Sequence, residues 1–208
     1  MFTYKRLTKG LLGSNTYVLW DDNSKECAII DAGNSPDAVW EIVNREQLKV
    51  RYIILTHAHY DHIYYFEEYA KRASGAKTVA HPLDDAMLPN PRLNASEIFG
   101  PEKRFSFVDL HVQEGDRLPI GDEFLVIYHT PGHTPGGICI QADPYLFTGD
   151  TLFYDGFGRT DLGAGSVREM SASIDRLYTL NPAWIVLPGH GISTTIGREA
   201  SENPYMDF

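Results

Sequence analysis

The chain has 208 residues, 43% of them hydrophobic, and a formal net charge of −10 at pH 7. That is the length and balance of one compact domain with a sizeable core, spanning 1–208, and not of a disordered or fibrous chain. The negative charge disfavours nucleic acid and anionic membrane surfaces as partners, and no apolar run approaches the roughly 20 residues that cross a bilayer. The basic pairs Lys71-Arg72 and Lys103-Arg104 are too short to line a phosphate-tracking groove. No apolar signal segment follows the basic residues near Met1, so the chain is expected in the cytoplasm. Cys27 and Cys139 lie in apolar, strand-like stretches and are expected as buried thiols rather than a disulfide.

From the N-terminus, residues 3–7, 16–20 and 27–31 read as short strands, separated by turn residues such as Gly13-Ser14-Asn15 and Asp21-Asp22-Asn23. A helix is predicted over 36–47, with Ser35 as its cap, Pro36 at its first position and Val39, Ile42 and Val43 on one face. Strand 51–56, helix 62–74 closed by Gly75, and strand 78–80 follow. Between 83 and 107 the periodicity stops, interrupted by Pro89, Pro91, Gly100 and Pro101. Met87, Leu88, Leu93, Ile98 and Phe99 make this segment too apolar for simple disorder, and it is expected to form a lid. Strands around 110–112, 124–129, 137–141 and 145–148, helix 167–180 and strand 184–187 complete the pattern. Each half runs strands, a helix, then a strand leading to a histidine. Two sheets face to face with helices outside, an α/β layered architecture, would satisfy that order.

His57, His59, Asp61 and His62 come directly after strand 51–56. A strand end is a stiff platform from which the following loop can turn side chains toward one point. Imidazole and carboxylate suit zinc, iron or manganese, and the absence of cysteine among them disfavours soft-metal sites. A lone histidine is usually a surface or hydrogen-bonded core residue. Three with an aspartate at these offsets would arise by chance in roughly one chain per thousand. Later in the chain, His133 (in Gly132-His133-Thr134-Pro135-Gly136), Asp150 (in Thr148-Gly149-Asp150) and His190 (in Pro188-Gly189-His190-Gly191) each follow a predicted strand. Small residues beside them let backbones approach closely. Glycine turns at strand ends are common without metals; their recurrence with a ligating side chain points to one centre. Asp31 and Thr56 could fix an imidazole tautomer, or equally serve as a turn cap and a strand-end hydroxyl. His81 is expected in a structural role, at most walling the pocket, His129 in the core or behind a ligand rather than ligating, and His111 on a strand surface.

The order of these motifs, HAHYDH, GHTPG, TGD and PGHG, resembles the metallo-β-lactamase superfamily. The resemblance extends from Ser14-Asn15-Thr16-Tyr17 and Ile30-Asp31-Ala32-Gly33 to His190. It implies an αββα four-layer sandwich with the site along one edge of the sheets. It also implies that His57, His59 and His133 hold one divalent metal, that Asp61, His62 and His190 hold a second, and that Asp150 bridges the pair. Zinc is the first choice, with iron or manganese as alternatives. The lack of a cysteine ligand makes the centre similar to the glyoxalase II-like branch. The implied reaction is hydrolysis of a small thioester, or an ester or lactone, by a metal-bridging hydroxide, with Asp61 as the catalytic group that orients it and passes on its proton.

Tyr60, Phe153 and Arg159 are the candidate substrate contacts. Arg159 lies in Gly158-Arg159-Thr160-Asp161, a stretch that short glyoxalase II-like proteins and persulfide dioxygenases carry near their sites. It could take a substrate carboxylate or be held in a buried pair with Asp161. Two departures matter. Ile63-Tyr64-Tyr65 stands where the family usually has small residues, and the short stretch after His190 has no room for the glutathione-binding helical region of glyoxalase II. The alternative activity implied is that of a mononuclear-iron, persulfide dioxygenase-like oxidoreductase.

Overall fold

Every residue of Thr16–Asp21 is buried, so this strand has no solvent face and must lie between two layers. In the computed structural model, which describes residues 1–205, it is the second strand of a six-stranded sheet. The order across this sheet is β1 (Phe2–Leu7), β2 (Thr16–Asp21), β3 (Glu26–Ile30), β4 (Lys49–Ile54), β5 (Lys77–Ala80) and β6 (Leu110–His111). β1 to β3 pair antiparallel and β3 to β6 parallel. Helices α1 (Pro36–Arg45), α2 (Tyr60–Ile63), α3 (Phe66–Arg72), α4 (Pro82–Asp85) and α5 (Ser96–Phe99) fall in its connections.

The second sheet begins with β7 (Arg117–Ile120), β8 (Glu123–His129), β9 (Ile138–Ala142) and β10 (Tyr145–Gly149). A small ribbon of β11 (Leu152–Phe153) and β12 (Gly156–Phe157) then leads to helix α6 (Val167–Tyr178). β13 (Ile185–Pro188) returns parallel to β10, and β14 (Thr194–Thr195) and helix α7 (Ile196–Glu202) close the described chain. Residues 206–208 of the expected domain lie outside the described residues. No helix among the described residues is long and apolar enough to cross a membrane.

Alternation along the strands assigns each side chain to a layer. Tyr17 and Leu19 of β2, with Ile30 and Ile54, meet Leu125, Ile127, Ile140 and Phe147 of the second sheet. Val18 and Trp20 point the other way and pack with Val39 and Val43 of α1 and Phe66 and Tyr69 of α3. On the far side, Cys139, Leu146 and Val186 pack on Leu177 of α6 and Ile196 of α7. The layers are therefore αββα, as expected. Cys27 and Cys139 are free and buried.

Several expected boundaries move for local reasons. Helix α1 stops at Arg45, because Gln47 takes a left-handed φ of 56°, and the Ser35 side chain makes no cap bond. The single helix expected over 62–74 is two, α2 and α3, separated by Tyr65 at φ −104° and ψ 16°. β7 is not among the expected strands, although Leu118 and Ile120 alternate inward, because Pro119 stands between them; proline is tolerated there because it faces outward on an edge strand. Within the segment 83–107, expected as a lid, Met87, Leu88 and Phe105 belong to the core between the first sheet and its helices, and Leu93 and Phe99 pack against it.

Candidate metal centre

The residues singled out after the strands converge at one edge of the two sheets. The His57–His62 loop leaves β4 of the first sheet, while the loops carrying His133, Asp150 and His190 leave β8, β10 and β13 of the second. Three groups have one ligating atom per residue, all within 4.8 Å of one another: His57, His59 and His133; His57, His62 and Asp150; and Asp61, His62 and His190. Asp150 reaches toward both ends, with Oδ1 3.4 Å from His62 Nε2 and Oδ2 3.5 Å from His133 Nε2. His190 Nε2 lies 3.0 Å from Asp61 Oδ2 and 3.2 Å from His62 Nε2.

Hydrogen bonds behind the imidazoles decide which nitrogens face the centre. His62 Nδ1 donates to Asp31 Oδ2 at 2.8 Å, leaving Nε2 as the inward lone pair. The Thr56 hydroxyl donates to the same carboxylate and accepts from His57 Nδ1 at 3.1 Å. His133 Nδ1 donates to the Arg159 carbonyl at 2.6 Å. Asp31 and Thr56 are thus partners of imidazoles rather than only a turn cap and a strand-end hydroxyl. Asp31 performs this with a left-handed φ of 61°, a strained backbone of the sort that persists where its surroundings over-determine it.

These residues fit a cation by an independent test. His57 Nε2, His59 Nε2 and Asp150 Oδ1 are buried without a hydrogen-bond partner, which costs free energy unless something binds them. Burial, reinforced by the neighbouring histidines, pushes His57 and His59 far below the usual imidazole range, and burial also lowers His133. Their neutral forms keep the lone pairs a metal requires. At the other end burial opposes the charged form of His62, but Asp61, Asp150 and Asp31 outweigh it and raise this imidazole to about 10. That corner holds an excess of negative charge and favours a cation. Close approach depends on glycine here: a Cβ on Gly189 would collide with Asp150 Oδ1 and come within 2.7 Å of His62 Cε1.

Two sets of supports left no spacing pattern in the sequence. Asp84, at 1% exposure, accepts hydrogen bonds from the Ala58 amide (2.8 Å), the Gly136 amide (2.6 Å) and the Thr134 hydroxyl (2.8 Å). One carboxylate therefore fastens the loop of His57 and His59 to the loop of His133. Burial pushes its carboxyl up to about 6 against the pull of those donors. On the opposite flank, Ser14 Oγ donates to the Asp61 carbonyl at 2.9 Å. Asn15 Nδ2 donates to the carbonyls of Pro188 (2.8 Å) and Gly191 (3.1 Å), bracketing His190.

A cavity of about 380 Å³ opens over the centre, and Phe153 and Arg159 line it. Tyr60, expected on the substrate side, does not. It is 1% exposed, edge-on to Tyr64 at 5.3 Å, and packed in the core behind the site. Of the bulky residues after His62, Ile63 is fully buried and Tyr64 and Tyr65 pack partly buried against the same core, away from the cavity. Arg159 does pair with Asp161, but in solvent rather than buried, with side-chain exposures of 54% and 68%. His81 stacks on His129 at 4.1 Å, and His111 pairs with Asp85; none of the three lines the cavity.

Comparison with known proteins agrees with this geometry. The profile of the metallo-β-lactamase superfamily matches residues 10–190. The chain is 32% identical to hydroxyacylglutathione hydrolase GloC of Haemophilus influenzae, over 93% of this chain and 92% of that one. The crystal structure of BLEG-1 B3 metallo-beta-lactamase superposes with a TM-score of 0.92 at 34% identity, covering 99% of this chain and all (100%) of that one. ETHE1 from Myxococcus xanthus superposes with a TM-score of 0.81 at 26% identity, covering 98% and 84%. The chain belongs to the metallo-β-lactamase superfamily.

Proposed function

We propose that the protein is a metal-dependent hydrolase of small thioesters, or of esters and lactones, working with two divalent cations, zinc first. The observation that carries this reading is the grouping of His57, His59 and His133 at one end and Asp61, His62 and His190 at the other, with Asp150 reaching both. The similarity to a hydroxyacylglutathione hydrolase along nearly all of both chains supports acyl chemistry. Cations held there would supply a water activated near neutral pH and would polarise the substrate carbonyl. Hydrolysis joins the water oxygen to the acyl carbon and breaks the C–S or C–O bond. The proton that water gives up has to reach the departing thiolate or alkoxide. Asp61, whose carboxylate faces the cavity, is the group given that transfer. Phe153 and Arg159 are the side chains available to meet the substrate flanking the reacting carbonyl.

A second reading is a mononuclear-iron oxidoreductase of the persulfide dioxygenase kind, favoured by the Gly158-Arg159-Thr160-Asp161 stretch, whose first two residues line the cavity, and by the similarity to ETHE1. Elemental analysis of the purified protein separates the two. Two equivalents of zinc, iron or manganese with turnover of a thioester or lactone are expected; one iron per chain with oxygen consumption would overturn the hydrolase. Asp150→Ala is expected to reduce turnover to background and to lower metal content. Retained turnover in that variant would remove Asp150 from the centre.

A further inference from the structure

Resting on the acyl-hydrolase reading, we propose that the site takes acyl substrates whose groups beside the scissile carbonyl are uncharged and apolar, and that Asp161 sets this preference by occupying Arg159.

The cavity wall beyond the metal-binding residues is made by Leu12, Phe99, Phe153 and Leu162. Leu12 stands 55% exposed at a left-handed φ of 52°, in a short turn that holds it out toward solvent. The Phe153 ring lies edge-on to His190 at 6.1 Å, so an apolar surface begins directly beside the centre. An alkyl or aryl group seated there removes these side chains from water, and that transfer is favourable without any polar partner. A chain with a formal charge of −10 commonly recruits an anionic substrate with lysine or arginine, yet Arg159 is the only such residue lining this cavity among the described residues.

Arg159 is already engaged. Its Nε donates to Asp161 Oδ1 at 2.6 Å and its Nη2 to Oδ2 at 2.8 Å, a bidentate pairing that uses the fork a substrate carboxylate would need. Asp161 is two residues away and competes as an intramolecular partner, at an effective concentration no dilute substrate matches. Glutathione thioesters, which carry carboxylates on the leaving group, therefore meet an apolar wall and a satisfied arginine.

The test uses the full chain loaded with metal and two thioesters of N-acetylcysteamine. One carries a hexanoyl group; the other carries an adipoyl group, whose terminal carboxylate is remote from the thioester. The wild type is expected to have a kcat/KM at least tenfold higher for the hexanoyl compound. Asp161→Asn frees Arg159 and is expected to raise the adipoyl-to-hexanoyl ratio about fivefold, the scale of an exposed ion pair transferred to a new partner. Adding Arg159→Gln should remove that gain. Both residues are exposed, so the substitutions spare the core. A wild type that prefers the adipoyl compound, or a ratio that Asp161→Asn leaves unmoved, overturns the proposal. Calorimetry with the S-hexyl and S-(5-carboxypentyl) thioethers keeps the question separate from turnover. If neither thioester is hydrolysed, the hydrolase reading falls. Tighter S-hexyl binding that Asp161→Asn selectively erodes would still uphold the pocket assignment, and equal binding would end it.

Discussion

A carboxylate that accepts from two backbone amides and a hydroxyl in a buried spot acts as a covalent-like tie between the chain segments it joins. Asp84 does this for the segments that carry His57, His59 and His133. Replacing it with alanine leaves the Ala58 and Gly136 amides and the Thr134 hydroxyl buried without an acceptor, each costing about 1–3 kcal/mol. Asp84→Ala is therefore expected to lower Tm by roughly 6 °C or more, at about 2–4 °C per kcal/mol in a chain of this size. The more diagnostic readout is metal titration. Loss of a residue that orients ligands typically weakens metal binding about 10- to 100-fold. Here the loss should fall on one cation and spare the other, whose residues Asp61, His62 and His190 are held by Ser14, Asp31 and Asn15. Uniform weakening of both cations, or no weakening, would mean that Asp84 serves only the core. Nothing in the sequence marks this residue, because a bond from a side chain to distant amides imposes no spacing. By contrast, His57, His59, Asp61 and His62 are legible because one short loop must deliver them all.

Among the elements, strands whose two faces feed two cores read clearly as short, near-continuous apolar runs bounded by turns, as in β2 and β3, and the helix α6 reads from its amphipathic spacing. The unread elements are the edge strand β7, whose Pro119 masks its alternation, the two-residue strands β11, β12 and β14, the one-turn helices α4 and α5, and the short helix α7. The segment 83–107 shows no period for a related reason. Met87, Leu88 and Phe105 pack through tertiary contacts in the core of the first sheet and its helices, so burial there follows no helical or strand period. One junction between elements carries a pH-dependent term. His81, which caps α4, lies flat on His129 at the end of β8, 4.1 Å apart and 6° from parallel. Burial, then His129 and His111, pushes His81 down to about 4 from a normal 6.5, while Asp85 pairs with His111 on the adjoining strand. Between those two values the unfolded chain binds the proton that the folded one refuses, so stability rises with pH across the window and is lost as pH falls from about 6.5 toward 4. His81→Phe keeps a flat ring on His129 and removes the titration. Its fall in Tm between pH 7 and pH 5 should be smaller than that of the wild type; an equal fall would place the acid sensitivity elsewhere.

At the level of the whole molecule, the site is also a junction. The His57–His62 loop belongs to the first sheet, and His133, Asp150 and His190 belong to the second. The sheets have their own apolar interface, centred on Tyr17, Leu19, Ile127, Ile140 and Phe147, so the fold does not rest on the centre alone. The Tyr17 hydroxyl adds a direct tie, donating to the Pro188 carbonyl at 2.7 Å. On the proposed two-cation reading, cations held by ligands from both sheets would bind the folded state and not the unfolded one, and would stabilise it by mass action: about 2.7 kcal/mol for each site at a free concentration a hundred times its Kd. Removing them leaves His57 Nε2 and Asp150 Oδ1 buried and unpartnered, beside carboxylates that repel one another. With both sites filled, chelation is therefore expected to lower Tm by roughly 10–20 °C while far-ultraviolet circular dichroism, reporting the strands and helices of the three apolar clusters, stays close to that of the loaded protein. Added zinc should restore Tm in a concentration-dependent way, and Asp150→Ala should respond much less to either treatment. A Tm that stays constant while elemental analysis shows the metal gone would mean that the two sheets are held by their apolar interface alone, with the centre contributing chemistry and no stability.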